Sequence, residues 1–214
     1  TNSWKKVQSL STGYDLVFCA QRKAAQNLKN GCWVPLGCDP TLDEPYSRDV
    51  HWDIASVGTE GGIPRKFILQ ALRERYAQSL IGYASHTQLM DIYRRSKIGF
   101  NYSIRSEVNM RIFEVLAAGA LLLTNQIEGD DLERLGLIEG KHLVVYRSSK
   151  EMLALIDYYL NNDAQRHEVA RAGMELTRKQ HTYIHRVGQI VSIVREKLKL
   201  SIPIQKTEAA CEFL

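Results

Sequence analysis

The sequence predicts an α/β protein built on a doubly wound parallel sheet. Two observations carry that prediction. Short apolar runs of strand length recur along the chain, and segments of helical periodicity separate them. Polar, glycine- or asparagine-bearing turns follow the carboxyl ends of those runs, which is where open α/β sheets hold their ligands.

In chain order, residues 14–19 read as a strand, 21–29 as a helix and 32–36 as a second strand, with Gly31 expected to stop the helix. Residues 41–50, with Pro45 and mixed charges, read as a linker. Five further runs follow at 53–57, 80–84, 98–102, 120–124 and 142–146. Between them Phe67, Ile68, Ala71, Leu72 and Tyr76 share one helical face, and Leu89, Ile92 and Tyr93 another. Residues 112–118 are apolar nearly all round, and a short crossover is expected near 131–135. Strands joined by helical crossovers imply a parallel sheet covered on both faces. Ser148 and Glu151 form a capping box that opens a helix over 152–160, and Asp163 is read as the N-cap of the next. Tyr183, Val187, Ile190, Val191, Val194 and Leu198 mark one stripe of a long final helix, and the tail from Ser201 has no pattern.

The chain has 214 residues, 44% hydrophobic and 24% charged, an ordinary balance for a globular domain. No run reaches the roughly 18 apolar residues of a membrane span; the longest, 115–123, carries Gly119. A net charge of +4, interspersed without a basic block, argues against a nucleic-acid partner and suits a small anion such as a nucleotide diphosphate. Cys19, Cys32, Cys38 and Cys211 lack paired spacing, so Cys19 and Cys32 are read as core thiols of a reducing, cytoplasmic protein. The chain opens Thr-Asn-Ser without a signal peptide, and its natural start is expected elsewhere.

Two turns carry chemistry. The first, Gly58-Thr59-Glu60-Gly61-Gly62, leads through Pro64 into a helix headed by Arg65 and Lys66. Glycines permit close backbone approach, and cations at the positive end of a helix call for an anion to meet them. The second runs from Asn101 to Glu114. Asn109 is a good N-cap, Arg105 and Arg111 flank the helix start, and Glu114 is the one charge in an apolar helix. A buried carboxylate needs a partner: Arg111 one turn earlier, or the hydroxyls of a ligand. Tyr83 is read as a base-stacking or core residue, His86 as a residue near the ligand, and His181 and His185 as helix-surface histidines.

The stretch NMRIFEVLAAGALLLTN, from Asn109 to Asn125, resembles the donor-site signature of group 1 glycosyltransferases of the GT-B fold, in particular the spore-maturation (CgeB-type) branch. DIASVGTEGGIPRKFILQAL and HTYIHRV are similar to that branch's opening strand, turn and helix and to its terminal helix. The resemblance implies a Rossmann-like C-terminal domain over 51–200, preceded by a remnant of the N-terminal domain (1–40) and a linker (41–50), and followed by a tail (201–214). It implies that the main chain of Asn109, Met110 and Arg111 holds the diphosphate of a nucleotide-sugar, UDP-linked rather than GDP-linked, and that Glu114 holds the ribose; Gly58, Arg65, Lys66 and Arg105, read from the two turns themselves, are the further contacts expected for that anion. The family's sugar-facing carboxylate falls at Ser106, one position from Glu107, which is the candidate catalytic acid; a solvated loop acid is the alternative. No metal or other cofactor is implied. The acceptor, a glycan or a protein, would be held by the rest of the parent's N-terminal domain. A sugar-nucleotide epimerase and a non-catalytic nucleotide-sugar-binding domain are the competing classes.

Overall fold

The computed structural model describes residues 2–39, 49–59 and 61–200. Glu60, most of the expected linker and the tail with Cys211 lie outside the described residues. The chain divides into two compact units, one of Thr1–Val34 with Val187–Leu214, the other of Pro35–Arg186.

In the first unit α1 (Asn2–Ser11) precedes β1 (Val17–Cys19), α2 (Arg22–Gln26) and β2 (Gly31–Trp33). The two strands pair in parallel, Phe18 opposite Cys32. The sequence reading missed α1, whose few apolar residues, Val7 and Leu10 among them, stay exposed. It also misplaced Gly31, which opens β2 instead of stopping α2. A Cβ there would lie 2.1 Å from the Ala25 carbonyl oxygen, so glycine is required for the strand to pass the helix.

The second unit holds β3 (Trp52–Val57), α3 (Arg65–Arg75), β4 (Ser79–Gly82), α4 (His86–Arg94), β5 (Ser96–Asn101), α5 (Met110–Ala118), β6 (Leu121–Asn125), α6 (Asp131–Arg134), β7 (Val144–Tyr146), α7 (Ser149–Asn161) and α8 (Asp163–Gln180). Its five strands are all parallel, in the order β4-β3-β5-β6-β7. The chain winds outward in one direction from β3 and in the other from β5, so the crevice at their carboxyl ends is the topological switch point. Leu69 and Leu72 of α3 and Tyr76 directly after it share a core with Met152, Ile156 and Tyr159 of α7. Asp157 ties these helices, accepting from the Tyr76 hydroxyl and from Arg75, each at 2.7 Å. α4 and α5 pack against each other.

Every residue of α5 from Ile112 to Ala118 is buried, as a helix apolar on all sides requires. Gly99 of β5 makes room for it, since a Cβ there would stand 2.3 Å from a Val115 methyl carbon. Gly119 ends the helix in the left-handed region, φ 83°. Ser148 caps α7 as expected, its side chain accepting from the Glu151 N–H. Asp163 is the first residue of α8, not its cap, and spends its carboxylate on Arg166 at 2.6 Å.

α9 (Tyr183–Leu198) begins in the second unit and ends in the first. Its expected stripe stays largely exposed: Val187 is 58% accessible, and Tyr183, Val191 and Leu198 are close to 40%. Arg186 is the buried residue of this helix instead. His181, expected on the surface, is buried as well. An Arg186 guanidinium N–H donates to His181 Nδ1 at 2.8 Å, leaving Nε2 to donate to the Leu135 carbonyl at 2.8 Å. Arg186 Nε donates to the Leu36 carbonyl, and the guanidinium lies over Phe113. Helical spacing places these residues on one strip but does not tell which neighbours cover it.

Burial, then the Arg186 charge, push His181 down to about 4 from its ordinary 6.5. With the folded value below the unfolded one, its contribution is complete above pH 6.5 and is lost as pH falls toward 4. The loss should be about 3 kcal/mol. Urea unfolding at pH 7 and pH 4 should show it, and the His181→Gln protein should lose distinctly less over the same interval.

Candidate functional site

The turn after β3 and the turn after β5 flank the switch point. Gly58 closes β3 at φ 142°, a conformation side-chain-bearing residues rarely adopt. A Cβ on it would meet Arg111 Nη2 at 3.4 Å and Arg65 Nη2 at 3.6 Å, so both guanidiniums converge on its bare backbone. Arg65, the first residue of α3, is half-buried, and its Nε–H is buried with no hydrogen-bond partner among the described residues. Burial, then the neighbouring Arg111 cation, lower its pKa. Lys66 beside it is exposed.

α5 presents its N-terminus to the same crevice. The Asn109 side chain accepts from the Ile112 N–H at 3.3 Å, which leaves the Met110 and Arg111 N–H groups without an intrahelical acceptor. Arg111 lies over the Tyr93 ring, 5.4 Å from its centroid. Tyr93 is fully buried, and its hydroxyl accepts from the Val57 N–H at 3.0 Å. Two arginines, open amides and a helix dipole thus point at one place, an arrangement suited to a diphosphate.

Glu114 is 5% exposed, with Oε2 2.8 Å from Arg111 Nη1. That nitrogen makes no well-directed hydrogen bond, so the contact is a charge pair. Of the two partners expected for this carboxylate, the fold supplies Arg111. Glu114 also lines a cavity of about 90 Å³ with Met90, Met110 and Tyr183. The Tyr183 hydroxyl donates to the Met110 sulfur at 3.2 Å, across one side of this space.

The turn after β5 is held by residues that the sequence reading passed over. Asn125 pairs its amide with the Ser103 backbone, accepting from the N–H at 2.6 Å and donating to the carbonyl at 3.1 Å. Ser103 Oγ donates to the Glu107 carbonyl and accepts from the Glu107 N–H. Asn109 donates to Asn101 Oδ1, and Asn101 to Thr124 Oγ1, an amide ladder fixing the helix cap to the sheet. The available signal was the polar end of each apolar strand: Asn101, Thr124, Asn125. Ser106 takes the left-handed φ of 52°. Glu107 is half-buried, with its main chain fixed by Ser103, and Arg105 is exposed. Tyr83, 83% exposed beyond β4, is not a core residue. The side chain of His86 lies outside the described residues. No group of three His, Cys, Asp or Glu side chains among the described residues is placed to hold a metal.

A doubly wound parallel sheet with a cationic, glycine-lined crevice at its switch point is an α/β arrangement of the GT-B type. Three solved structures share its fold. Sucrose-phosphate synthase from Thermosynechococcus elongatus is 13% identical, with a TM-score of 0.67 over 92% of this chain and 62% of that one. HepE from Anabaena, in complex with UDP-glucose, is 10% identical, with a TM-score of 0.72 over 91% and 68%. A glycosyltransferase from Rickettsia africae is 14% identical, with a TM-score of 0.68 over 94% and 68%. The chain therefore spans about two thirds of the length of these proteins. No curated protein matches it. Residues 48–192 match the glycosyl transferase-like family, and the chain belongs to that family. No helix among the described residues is long and apolar enough to cross a membrane.

If the Arg111–Glu114 pair supports the fold, Arg111→Met strands a buried carboxylate and should cost about 3–5 kcal/mol. Adding Glu114→Gln to the same chain should restore most of that stability. Urea unfolding of the two single variants and the double variant gives the coupling; additive losses would show the pair to be energetically idle.

Proposed function

We propose that this chain is the donor-binding part of a cytoplasmic glycosyltransferase that moves a sugar from a nucleotide-sugar, UDP-linked, to a glycan or protein acceptor. The convergence of Arg65 and Arg111 on Gly58, beside the open N-terminus of α5, carries the reading. Structures of the same fold that hold UDP and UDP-glucose support the choice of nucleotide. The motif at Asn109–Asn125 supports the spore-maturation branch within the family.

In this reading the Met110 and Arg111 N–H groups and the Arg65 guanidinium hold the diphosphate, with Lys66 and Arg105 on its approach. Arg111 turns from Glu114 to the phosphate, and Glu114 then accepts from the ribose hydroxyls. Met110 and Tyr183, each 40% exposed, move aside to widen the small cavity between them. Transfer breaks the bond between the sugar's anomeric carbon and the diphosphate oxygen, whose bonding electron pair leaves with the diphosphate. An acceptor hydroxyl oxygen bonds the anomeric carbon and gives its proton to the departing diphosphate. Positive charge develops on the sugar ring and negative charge on the leaving group. Arginines and a helix N-terminus already in place stabilise the latter without reorganising and without a metal. Glu107 is the candidate to face the ring. The rest of the N-terminal domain, of which residues 1–40 are the remnant, supplies the acceptor site and packs on the exposed stripe of α9, so the isolated chain does not turn over.

UDP at about 100 times its Kd should stabilise the chain by roughly 2.7 kcal/mol, read as a rise in melting temperature that Arg65→Ala diminishes and EDTA leaves unchanged. Glu114→Gln should weaken UDP roughly ten- to a hundredfold, because a charged hydrogen-bond acceptor is lost. A calorimetric Kd within about twofold of wild type would remove Glu114 from the site.

A further inference from the structure

The crevice between the two turns opens where the central strands of the sheet part. β3 and β5 run in register from Trp52 opposite Ser96 to Ala55 opposite Gly99. Beyond that pair each strand keeps its outer neighbour: Val57 lies opposite Gly82 of β4, and Asn101 opposite Thr124 of β6. The gap between their carboxyl ends is the switch point.

Parting two strands strips main-chain groups of their partners, and a buried N–H is not left so. The Gly58 N–H points to β4 and donates to the Gly82 carbonyl at 2.8 Å. The Val57 N–H, one residue earlier, points the other way, toward β5. It donates to the Tyr93 hydroxyl at 3.0 Å. A phenol from α4 thus takes the place of a β5 carbonyl. Its ring reaches that place across Gly99, where a Cβ would lie 3.2 Å from Tyr93 Cδ1. Tyr93 has no exposed surface, and burial pushes its pKa up, so the group stays an uncharged hydroxyl.

The same ring carries the Arg111 guanidinium on its face, 5.4 Å from the centroid. Arg111 Nη2 would stand 3.4 Å from a Cβ on Gly58, the residue after Val57. One side chain therefore sets both walls of the opening. A phenyl ring would fill the same space under Arg111; only a phenol also holds the end of β3.

We propose that Tyr93 is a positioning residue of the anion site: its hydroxyl holds the end of β3 apart from β5, and its ring aims Arg111 across the gap. It touches no ligand and acts through Gly58 and Arg111. That the anion is a donor's diphosphate rests on the glycosyltransferase reading; the placing of Arg111 does not.

The test uses the whole chain with Tyr93→Phe and Tyr93→Leu, and with Tyr76→Phe as the control. Tyr93→Phe removes one oxygen and keeps the ring, so it is the variant that folds in any case. Tyr76→Phe deletes a hydroxyl bonded to Asp157, past the other end of α3 from Arg65. UDP and inorganic pyrophosphate are titrated by calorimetry. Tyr93→Phe should weaken both by about three- to tenfold, and Tyr93→Leu by roughly a further threefold or more. Tyr76→Phe should leave both within about twofold of wild type. The side-chain NMR signal of Arg111, shifted by the ring beneath it, should persist in Tyr93→Phe and collapse to the position of solvent-exposed arginines in Tyr93→Leu. The proposal fails if both Tyr93 variants bind within about twofold of wild type, if Tyr76→Phe weakens the probes as much, or if Tyr93→Leu leaves the Arg111 signal in place. A wild-type chain that binds pyrophosphate but not UDP overturns the glycosyltransferase reading alone, and pyrophosphate then decides Tyr93 by the same comparisons. A chain that binds neither overturns both.

Discussion

The close approach of α5 to β5 is the constraint on which this protein is built. Gly99 presents no side chain to the helix, and the Val115 methyls occupy the room a Cβ would take. A helix that is apolar apart from Arg111 and Glu114 is thereby pressed flat against the sheet, with every residue from Ile112 to Ala118 buried. Its direction follows from the parallel crossover: the N-terminus must open at the carboxyl ends of the strands, at the point where the winding reverses. The amide ladder from Asn109 through Asn101 to Thr124 then fixes the angle of that end. Hydrophobic burial provides the stability, and what it leaves over at one end of the sheet is a positively polarised helix terminus.

Around that terminus the protein accepts arrangements that are locally unfavourable. Two guanidiniums lie near each other, each with a buried nitrogen that makes no hydrogen bond among the described residues, and a carboxylate sits inside an apolar helix. Each is tolerable because of a specific neighbour. The Tyr93 ring takes the Arg111 charge on its face while its hydroxyl is pinned by the Val57 amide, and Arg111 in turn neutralises Glu114. Local conflicts of this kind, held in place by a well-packed surround, are expected where a ligand is to complete the electrostatics. An anion would relieve the repulsion between the arginines, and a hydroxylated sugar would relieve the need of Glu114 for Arg111.

The other end of α5 is sealed by the C-terminal segment. Arg178 donates to the Ala117 carbonyl, and Gly173 lets α8 pass so close to the segment before β7 that a Cβ would lie 2.3 Å from the His142 carbonyl oxygen. His181 and Arg186 then close over Phe113 and reach the carbonyls of Leu135 and Leu36. The two ends of one helix thus meet opposite treatments. Its carbonyl end is met by the Arg178 guanidinium and its amide end is left open.

Local chemistry made much of this legible. Apolar periodicity located all five strands of the main sheet, the face of α4 and the buried α5, because burial on two faces leaves a continuous apolar run and burial on one leaves a stripe. On α3 it put Phe67 and Ala71 on the covered face, but both are exposed, and Leu69 packs there with Leu72 instead. Asn109, Arg111, Gly58 and Arg65 were visible because caps, glycine turns and cations at helix starts are short-range features, and the motif at Asn109–Asn125 carried the family. Tertiary packing alone decided the rest. It buried His181 and Arg186 while leaving the stripe of α9 exposed, since a periodic pattern does not reveal what covers a helix. It gave Gly31 and Gly99 their use as points of contact between elements. It brought Arg65 and Arg111, 46 positions apart in the chain, onto one glycine, and it set the Tyr93 hydroxyl against the end of β3. Sequence spacing fixes what lies within a turn or a strand of a residue; distances between separate elements exist only once the sheet order and its crossovers are set.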